Sequence, residues 1–97
     1  MEYEVFQTEE FKKWREKLKD PQAVRRIQAR IDRVISGNFG DWKTTTGEVK
    51  ELRIDYEPGY RIYFVIREKG IVFLLCGGNK GNQTADIKKA IEYAKEV

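Results

Sequence analysis

The sequence VKELRIDYEPGYRIYFVIREKGIVFLLC, residues 49–76, decides the fold of this chain. It contains three runs that are rich in β-branched and aromatic residues, at 49–55, 60–67 and 71–76. Such runs predict three strands. The Pro-Gly pair between the first two runs is typical of a short turn, so these two strands are predicted to form a hairpin.

Side chains alternate between the two faces of a strand, which gives the predicted hairpin one apolar and one polar face. The apolar face contains Leu52, Ile54, Ile62, Phe64 and Ile66. The other face contains Glu51, Arg53, Arg61 and Tyr63, and a turn centred near Glu57 places Arg53 directly opposite Arg61. Like charges opposed in this way destabilise a sheet by a fraction of roughly 1 kcal/mol. Their presence indicates an anion-binding site on this face, although Arg61 has the structural alternative of a salt bridge with Glu51 or Asp55.

Two helices are predicted between a short first strand, residues 3–7, and the hairpin. The first follows Thr8, a favourable N-cap, and the second begins at Asp20-Pro21, where Asp caps and Pro is tolerated. The apolar residues of the second helix recur with helical spacing at Val24, Ile27, Ile31, Val34 and Ile35. Its outer face is predicted to carry arginines, either as a solvated surface or as a phosphate-facing one: Arg25, Arg26, Arg30 and Arg33.

Residues 37–47 are predicted to be a loop in which Trp42 either seals the edge of the core or stacks on a ligand. Lys43, in the same loop, is expected to reach the arginine face. After the third strand, Gly77-Gly78 is predicted to turn the backbone out of the sheet, which leaves Lys80 exposed near a strand end. A last helix follows, capped by Asn82 or Thr84, with a buried stripe of Ile87, Ala90, Ile91 and Ala94.

Composition restricts the chemistry that the chain can perform. The 97 residues, 40% of them hydrophobic, are expected to form a single domain over 1–97. One cysteine, Cys76, and no histidine leave no internal disulfide, no cysteine metal cluster and no histidine general base. The sequence has neither a membrane-spanning apolar run nor a signal-peptide pattern, so we expect a cytoplasmic protein with Cys76 packed as a small hydrophobe. The net charge of +3 does not by itself indicate a nucleic-acid partner.

Three strings in order, GNFGDWK at 37–43, ELRIDYEPGYRIYF at 51–64 and LLCGGNKGNQ at 74–83, resemble the RelE/ParE superfamily of toxins, and within it the HigB-like, phage-derived addiction-module killer subgroup. The resemblance implies an α+β fold of order βααβββα, with a small antiparallel-rich sheet, a helical hairpin on one face and a C-terminal helix. It also implies a type II toxin-antitoxin module. The expected partners are a cognate antitoxin and the ribosome with its messenger RNA. The antitoxin is expected to be a small helix-turn-helix protein, and the toxin is expected to form oligomers only through it.

The resemblance further implies a metal-independent endoribonuclease without cofactors, in which a ribose 2′-hydroxyl attacks the adjacent phosphodiester. Arg61 and Lys80 match basic residues of the family, and so do Lys43 and Arg53 around the second strand. The C-terminal Tyr or His that many ribosome-dependent members use is missing here. The proton acceptor therefore stays open between Glu51 and Lys43, with Tyr63 as another group on the same face.

Two other functions remain open from the sequence. One is a non-nucleolytic toxin that binds a protein target such as DNA gyrase, as ParE-like members do, and the other is a degenerate antitoxin-binding partner. Three converging cations favour cleavage, since a gyrase-binding protein does not need them on its sheet. On the cleavage hypothesis, Arg26, Arg30 and Arg33 are predicted to dock on ribosomal RNA phosphates.

Overall fold

The computed structural model describes residues 2–97. Its elements are, in chain order, β1 (Glu4–Gln7), α1 (Glu9–Glu16), α2 (Pro21–Ile35), β2 (Trp42–Thr44), β3 (Lys50–Ile54), β4 (Tyr60–Arg67), β5 (Ile71–Asn79), a 3-10 turn (Lys80–Asn82) and α3 (Gln83–Ala94). The strands form one sheet of order β1-β5-β4-β3-β2, in which β1 and β5 are parallel and the other pairs antiparallel. The predicted α+β fold is confirmed, with one strand more than the predicted order.

The extra strand, β2, lies inside the segment that was predicted to be a loop. It pairs with β3 through Trp42 opposite Leu52 and Thr44 opposite Lys50. Three residues are too few for an alternating pattern to be visible in the sequence. The Trp42 side chain is 44% exposed, so the prediction that it seals the core is wrong.

The caps predicted for the first two helices are confirmed. Thr8 Oγ1 accepts a hydrogen bond from the Phe11 amide at 3.1 Å and donates one to the Leu75 carbonyl at 2.6 Å, which ties α1 to β5. Asp20 Oδ1 accepts from the Gln22 amide at 2.9 Å at the start of α2. Both helices therefore begin where a side-chain oxygen satisfies an otherwise unpaired amide.

The buried stripe of α2 differs from the predicted one. Its buried residues are Ala23, Ile27, Arg30, Ile31 and Val34, whereas Val24 is only partly buried and Ile35 is 40% exposed. Successive residues of a helix are about 100° apart, so Ile35 falls beside the stripe that Val34 belongs to. The prediction is right for the three central positions and wrong at both ends.

Two apolar clusters cover the two faces of the sheet. The helical hairpin of α1 and α2 packs on the face that carries Leu52, Ile62 and Phe64, as predicted. Helix α3 packs on the opposite face, where its alanines allow close contact with Val49, Tyr63, Val65, Leu75 and Cys76. Cys76 is confirmed as a packed residue, and burial raises the pKa of its thiol to about 12. On this second face α3 buries Tyr63, whereas Arg53 stays partly exposed.

Strand β5 runs through Gly77 and Gly78 to Asn79 instead of turning out of the sheet after Cys76. A Cβ atom at Gly77 would lie 2.3 Å from the Trp14 ring, and one at Gly78 would lie 1.8 Å from Asp86 Oδ2. Both distances are far below van der Waals contact. The two glycines therefore allow α1 and α3 to approach opposite faces of β5, and the predicted turn at this point is wrong.

We expect Gly77→Ala to lower the free energy of unfolding by about 1–3 kcal/mol, because the added methyl group would overlap the Trp14 ring. The matched control is Gly70→Ala, where a Cβ atom meets nothing within 4 Å in the described chain and the change should stay within about 0.5 kcal/mol. Urea denaturation of both variants measures the difference. Equal midpoints of the two variants would contradict close packing of the Trp14 ring on Gly77.

Candidate functional site

Three cations meet in a cleft at one end of β3 and β4. The cleft has a volume of about 370 Å³ and is lined by Arg53 on β3, Arg61 on β4 and Lys80 at the end of β5, together with acidic residues of the turn. The Lys80 amide donates to the Gly59 carbonyl at 2.9 Å, which holds the 3-10 turn against the hairpin turn. We call this feature the basic cleft (Arg53, Arg61 and Lys80).

Arg53 and Arg61 are direct cross-strand neighbours, as predicted. The Arg53 guanidinium donates to Asp41 Oδ1 from Nε at 3.2 Å and from Nη2 at 2.7 Å. Both side chains remain open to solvent, with 36% of Arg53 and 57% of Asp41 exposed. Exposed ion pairs are weak, so an anionic ligand can compete with Asp41 for this guanidinium.

Arg61 is paired with a buried carboxylate. Its Nε atom lies 3.7 Å from Oε2 of Glu51, and Lys43 Nζ lies 3.9 Å from the same oxygen. The Glu51 side chain is completely buried, and it lies between Lys43 and Tyr63 in the register of three adjacent strands. The salt bridge between Arg61 and Glu51, which the sequence leaves open as an alternative to anion binding, is therefore present. Arg61 also lines the basic cleft.

Tyr63 is buried under α3 and not exposed beside the arginines. Burial, and secondarily the Glu51 carboxylate, raise the pKa of its hydroxyl, which has no hydrogen-bond partner among residues 2–97. Glu51 and Tyr63 are both fully buried. Neither can touch a ligand in the basic cleft in this arrangement, because α3 packs over Tyr63 and Glu51 lies behind Arg61.

Arg30 does not belong to the outer face of α2, and its prediction as an exposed RNA-binding residue is wrong. It is 8% exposed and donates to three main-chain carbonyls, those of Arg53, Phe39 at 2.8 Å and Asp41 at 3.2 Å. Burial lowers the pKa of its guanidinium. The residue connects α2 to the segment before β2 and to β3, so it orders the wall of the basic cleft from behind.

Arg26 and Arg33 are exposed on α2, as predicted. They line a second hollow that shares Asp41 and Arg53 with the basic cleft. The Arg26 guanidinium lies over the Tyr56 ring, 4.8 Å from its centroid, an arrangement typical of cation–π contacts. The positive surface therefore continues from the basic cleft onto α2.

Asp41 is the residue at this site that the sequence did not reveal, because it stands in the segment predicted to be a loop.

Within residues 2–97, no cluster of three or more His, Cys, Asp or Glu side chains is arranged to hold a metal ion. In the same range, no helix is both long and apolar enough to cross a membrane.

Comparison with known proteins identifies the family. The sequence profile of the family described as "Phage derived protein Gp49-like (DUF891)" matches residues 9–97. The chain belongs to this family. An uncharacterized protein of Haemophilus influenzae (strain ATCC 51907 / DSM 11121 / KW20 / Rd) is 43% identical over 97 residues, which is 100% of this chain and 98% of that protein.

The fold of this Gp49-like chain is similar to that of E. coli toxin RelE, in the structure of a double arginine-to-alanine variant in the free state. The TM-score is 0.74 at 18% sequence identity, and the alignment covers 95% of this chain and 97% of that one. The predicted RelE-like fold is confirmed by this similarity, which concerns the arrangement of helices and strands and not the chemistry of the site.

Proposed function

We propose that this chain is the toxin of a type II toxin-antitoxin module, of the HigB-like subgroup, and that it cleaves messenger RNA on the ribosome in the cytoplasm. The observation that carries the proposal is the convergence of Arg53, Arg61 and Lys80 in one cleft of a RelE-like fold. Its partners would be the ribosome, the messenger and a cognate antitoxin, a small helix-turn-helix protein that covers the basic cleft and through which the toxin oligomerises.

The cleft suits a reaction in which a ribose 2′-hydroxyl attacks the adjacent phosphodiester. Negative charge accumulates on the phosphate oxygens in the transition state, and preorganised cations stabilise it. Guanidinium groups offer forked donors that match two phosphate oxygens. In this mechanism Arg53 and Arg61 hold the phosphate, and Lys80, exposed at the mouth of the cleft, contacts the phosphate or the leaving oxygen.

Lys43 and Glu51 take different roles in this proposal. The Lys43 side chain is 52% exposed, so it can contact the RNA, and it would accept the proton of the 2′-hydroxyl only in its neutral amine form. Glu51 is buried behind Arg61, which makes it a positioning residue that holds the arginine through charge. Tyr63 is the cross-strand neighbour of Glu51 and is fully buried, so in this proposal it packs against Glu51 and does not contact the RNA.

We expect Glu51→Gln to lower kcat for messenger cleavage about 10- to 100-fold with little change in KM, because a misplaced Arg61 costs transition-state stabilisation more than binding. The control is Glu57→Gln, which removes an exposed carboxylate from the rim of the same cleft and should leave kcat unchanged. Steady-state kinetics on programmed ribosomes separate the two parameters. A normal kcat for a folded Glu51→Gln variant would contradict the positioning role.

The proposed enzyme should depend on the ribosome. The basic cleft is an open surface in a chain without histidine, so it is poorly equipped to align a flexible RNA. On the ribosome the codon is already held, and the entropy of ordering it does not oppose the reaction. The arginines of α2 that remain exposed, Arg26 and Arg33, can then dock on ribosomal RNA phosphates without reading bases.

The test compares cleavage of free RNA with cleavage of messenger in programmed ribosomes. Purified protein should cleave the second quickly and the first very slowly. The double substitution Arg26→Glu and Arg33→Glu should lower the ribosome-dependent rate by about tenfold or more, as lost phosphate contacts do, and leave the slow rate on free RNA nearly unchanged. Equal rates on free and ribosome-bound RNA would overturn the proposal of ribosome dependence.

A further inference from the structure

A third and smaller hollow lies on the other side of β5 from the basic cleft. Strand β1 pairs with β5 only as far as Leu74, so the following residues of β5 have a sheet partner on one side, namely β4, within the described chain. Helices α1 and α3 flank this edge and enclose a volume of about 220 Å³. We call it the β5 slot (Trp14, Gly77, Asp86 and Lys89).

Asp86 is the unusual residue of the β5 slot. It is 8% exposed, and its Oδ2 atom has no hydrogen-bond partner in the part of the chain that the structure describes. Burying a carboxylate without a partner is costly, and burial raises the pKa of this group. The carboxylate lies against Gly78, where a Cβ atom would come within 1.8 Å of Oδ2. Glycine at this position therefore makes room for an acid in the first turn of α3 whose Oδ2 atom is left unpaired.

The rim of the β5 slot has the opposite charge. Three lysines line it, Lys13 in α1, Lys17 just after α1 and Lys89 in α3. The one carboxylate at the rim, Glu10, lies 4.0 Å from Lys13 Nζ, which leaves Lys17 and Lys89 as the excess positive charge. A lysine or arginine side chain from a partner protein would be repelled at this rim. The arrangement favours a ligand with a hydrogen-bond donor at its inner end and a negative charge at its outer end.

Nucleotides have this polarity. A base carries N–H donors on its edge, the phosphate is anionic, and aromatic side chains such as Trp14 and Tyr93 in the wall of the slot are typical partners for unstacked RNA bases. The volume of about 220 Å³ is below the range of about 300–1,000 Å³ that holds drug-sized ligands, so it suits one base with its phosphate outside.

The β5 slot is close to the basic cleft. Gly78, on which Asp86 lies, is the cross-strand partner of Arg61, and Lys80 follows two residues later. With neighbouring strands about 4.8 Å apart and a rise of about 3.3 Å per residue, the slot and the cleft are separated by roughly one or two nucleotides. One RNA strand can therefore occupy both.

We propose that the β5 slot binds a single nucleobase of the RNA, next to the phosphate in the basic cleft, and that Asp86 selects among bases. This inference rests on the proposed RNA substrate. Oδ2 of Asp86 is enclosed against Gly78, so its Oδ1 atom is the one that accepts a hydrogen bond from the exocyclic amino group of adenine, cytosine or guanine. In uracil the ring N–H lies between two carbonyl oxygens, which the carboxylate repels, so uracil is disfavoured.

Trp14 reports occupancy directly. The chain has two tryptophans and five tyrosines, so Trp42→Phe leaves Trp14 as the single tryptophan, which is excited selectively at wavelengths that tyrosine does not absorb. Titration with AMP, CMP and GMP should quench its emission in a saturable way, and UMP should bind about tenfold more weakly, the discrimination that one good hydrogen-bonded contact supplies. Asp86→Asn in this background keeps the shape of the side chain but adds a donor, and it should remove the discrimination against UMP.

Charge at the rim is tested separately. Lys89→Glu should weaken binding of all four nucleotides severalfold, whereas Lys88→Glu, the exposed neighbour on α3, should not.

Two results would overturn the inference. One is the absence of saturable quenching, and the other is equal quenching by all four nucleotides that Asp86→Asn does not alter. Ribosome-dependent cleavage without nucleotide quenching would contradict the β5 slot alone, and quenching without cleavage would contradict the proposed function alone.

Discussion

Arg61→Lys is expected to lower the rate of messenger RNA cleavage by about 100- to 1,000-fold, the usual cost of removing a donor that stabilises transition-state charge. Lysine keeps the positive charge but not the planar fork that binds two phosphate oxygens. The substitution also keeps a cation beside the buried Glu51 carboxylate. Alanine would not, and breaking a buried ion pair costs about 3–5 kcal/mol, so a loss of activity in Arg61→Ala would be confounded by unfolding.

The measurement is single-turnover cleavage on programmed ribosomes, accompanied by urea denaturation of each variant. The free energy of unfolding of Arg61→Lys should lie within about 1 kcal/mol of the parent, since lysine keeps a cation beside the buried Glu51 carboxylate and no buried charge loses its partner. Arg25→Lys, an exposed arginine of α2 outside the basic cleft, is the control and should cleave normally. Full activity of Arg61→Lys would remove Arg61 from the reaction.

Arg30→Ala is expected to lower the free energy of unfolding by about 3 kcal/mol or more, because each buried acceptor left without its donor costs about 1–3 kcal/mol. Three carbonyls lose their donor together, those of Phe39, Asp41 and Arg53. These carbonyls belong to the segment before β2 and to β3, so the variant should also loosen the wall of the basic cleft.

Arg33→Ala is the matched control for Arg30→Ala. It lies one turn further along α2 but is exposed, and its stability should change by no more than about 0.5 kcal/mol. Chemical denaturation of the two variants in the same buffer gives the comparison. Similar stability of Arg30→Ala and Arg33→Ala would mean that the three carbonyls find other donors, such as water, and that Arg30 does not order this region.

The features that could be predicted from the sequence are those encoded by residues close together in the chain. The alternation along β3 and β4 gave the register that places Arg53 opposite Arg61, and the two helix N-termini followed from Thr8 and Asp20. Lys80 was expected near a strand end and lies there. Each of these depends on a spacing of a few residues and on a turn of defined length.

The features that could not be predicted depend on contacts between distant segments. Whether α3 covers Tyr63 is decided by tertiary packing, and periodicity within α3 does not show on which face of the sheet the helix packs. Arg30 follows three residues after Ile27 and directly precedes Ile31, so it stands within the apolar stripe of α2. That position was the available indication that its guanidinium is buried. Two of its carbonyl partners, Phe39 and Asp41, lie in a segment without a sequence pattern.

Mapping of messenger RNA ends tests the central proposal most directly. After brief induction of the wild-type chain in cells, primer extension on a translated message should show new 5′ ends inside codons. The same experiment with Arg61→Lys, expressed at the same level, should show none. Intact transcripts together with altered DNA supercoiling would contradict cleavage and support a toxin that binds gyrase. Intact transcripts with normal growth would support a degenerate partner of the antitoxin.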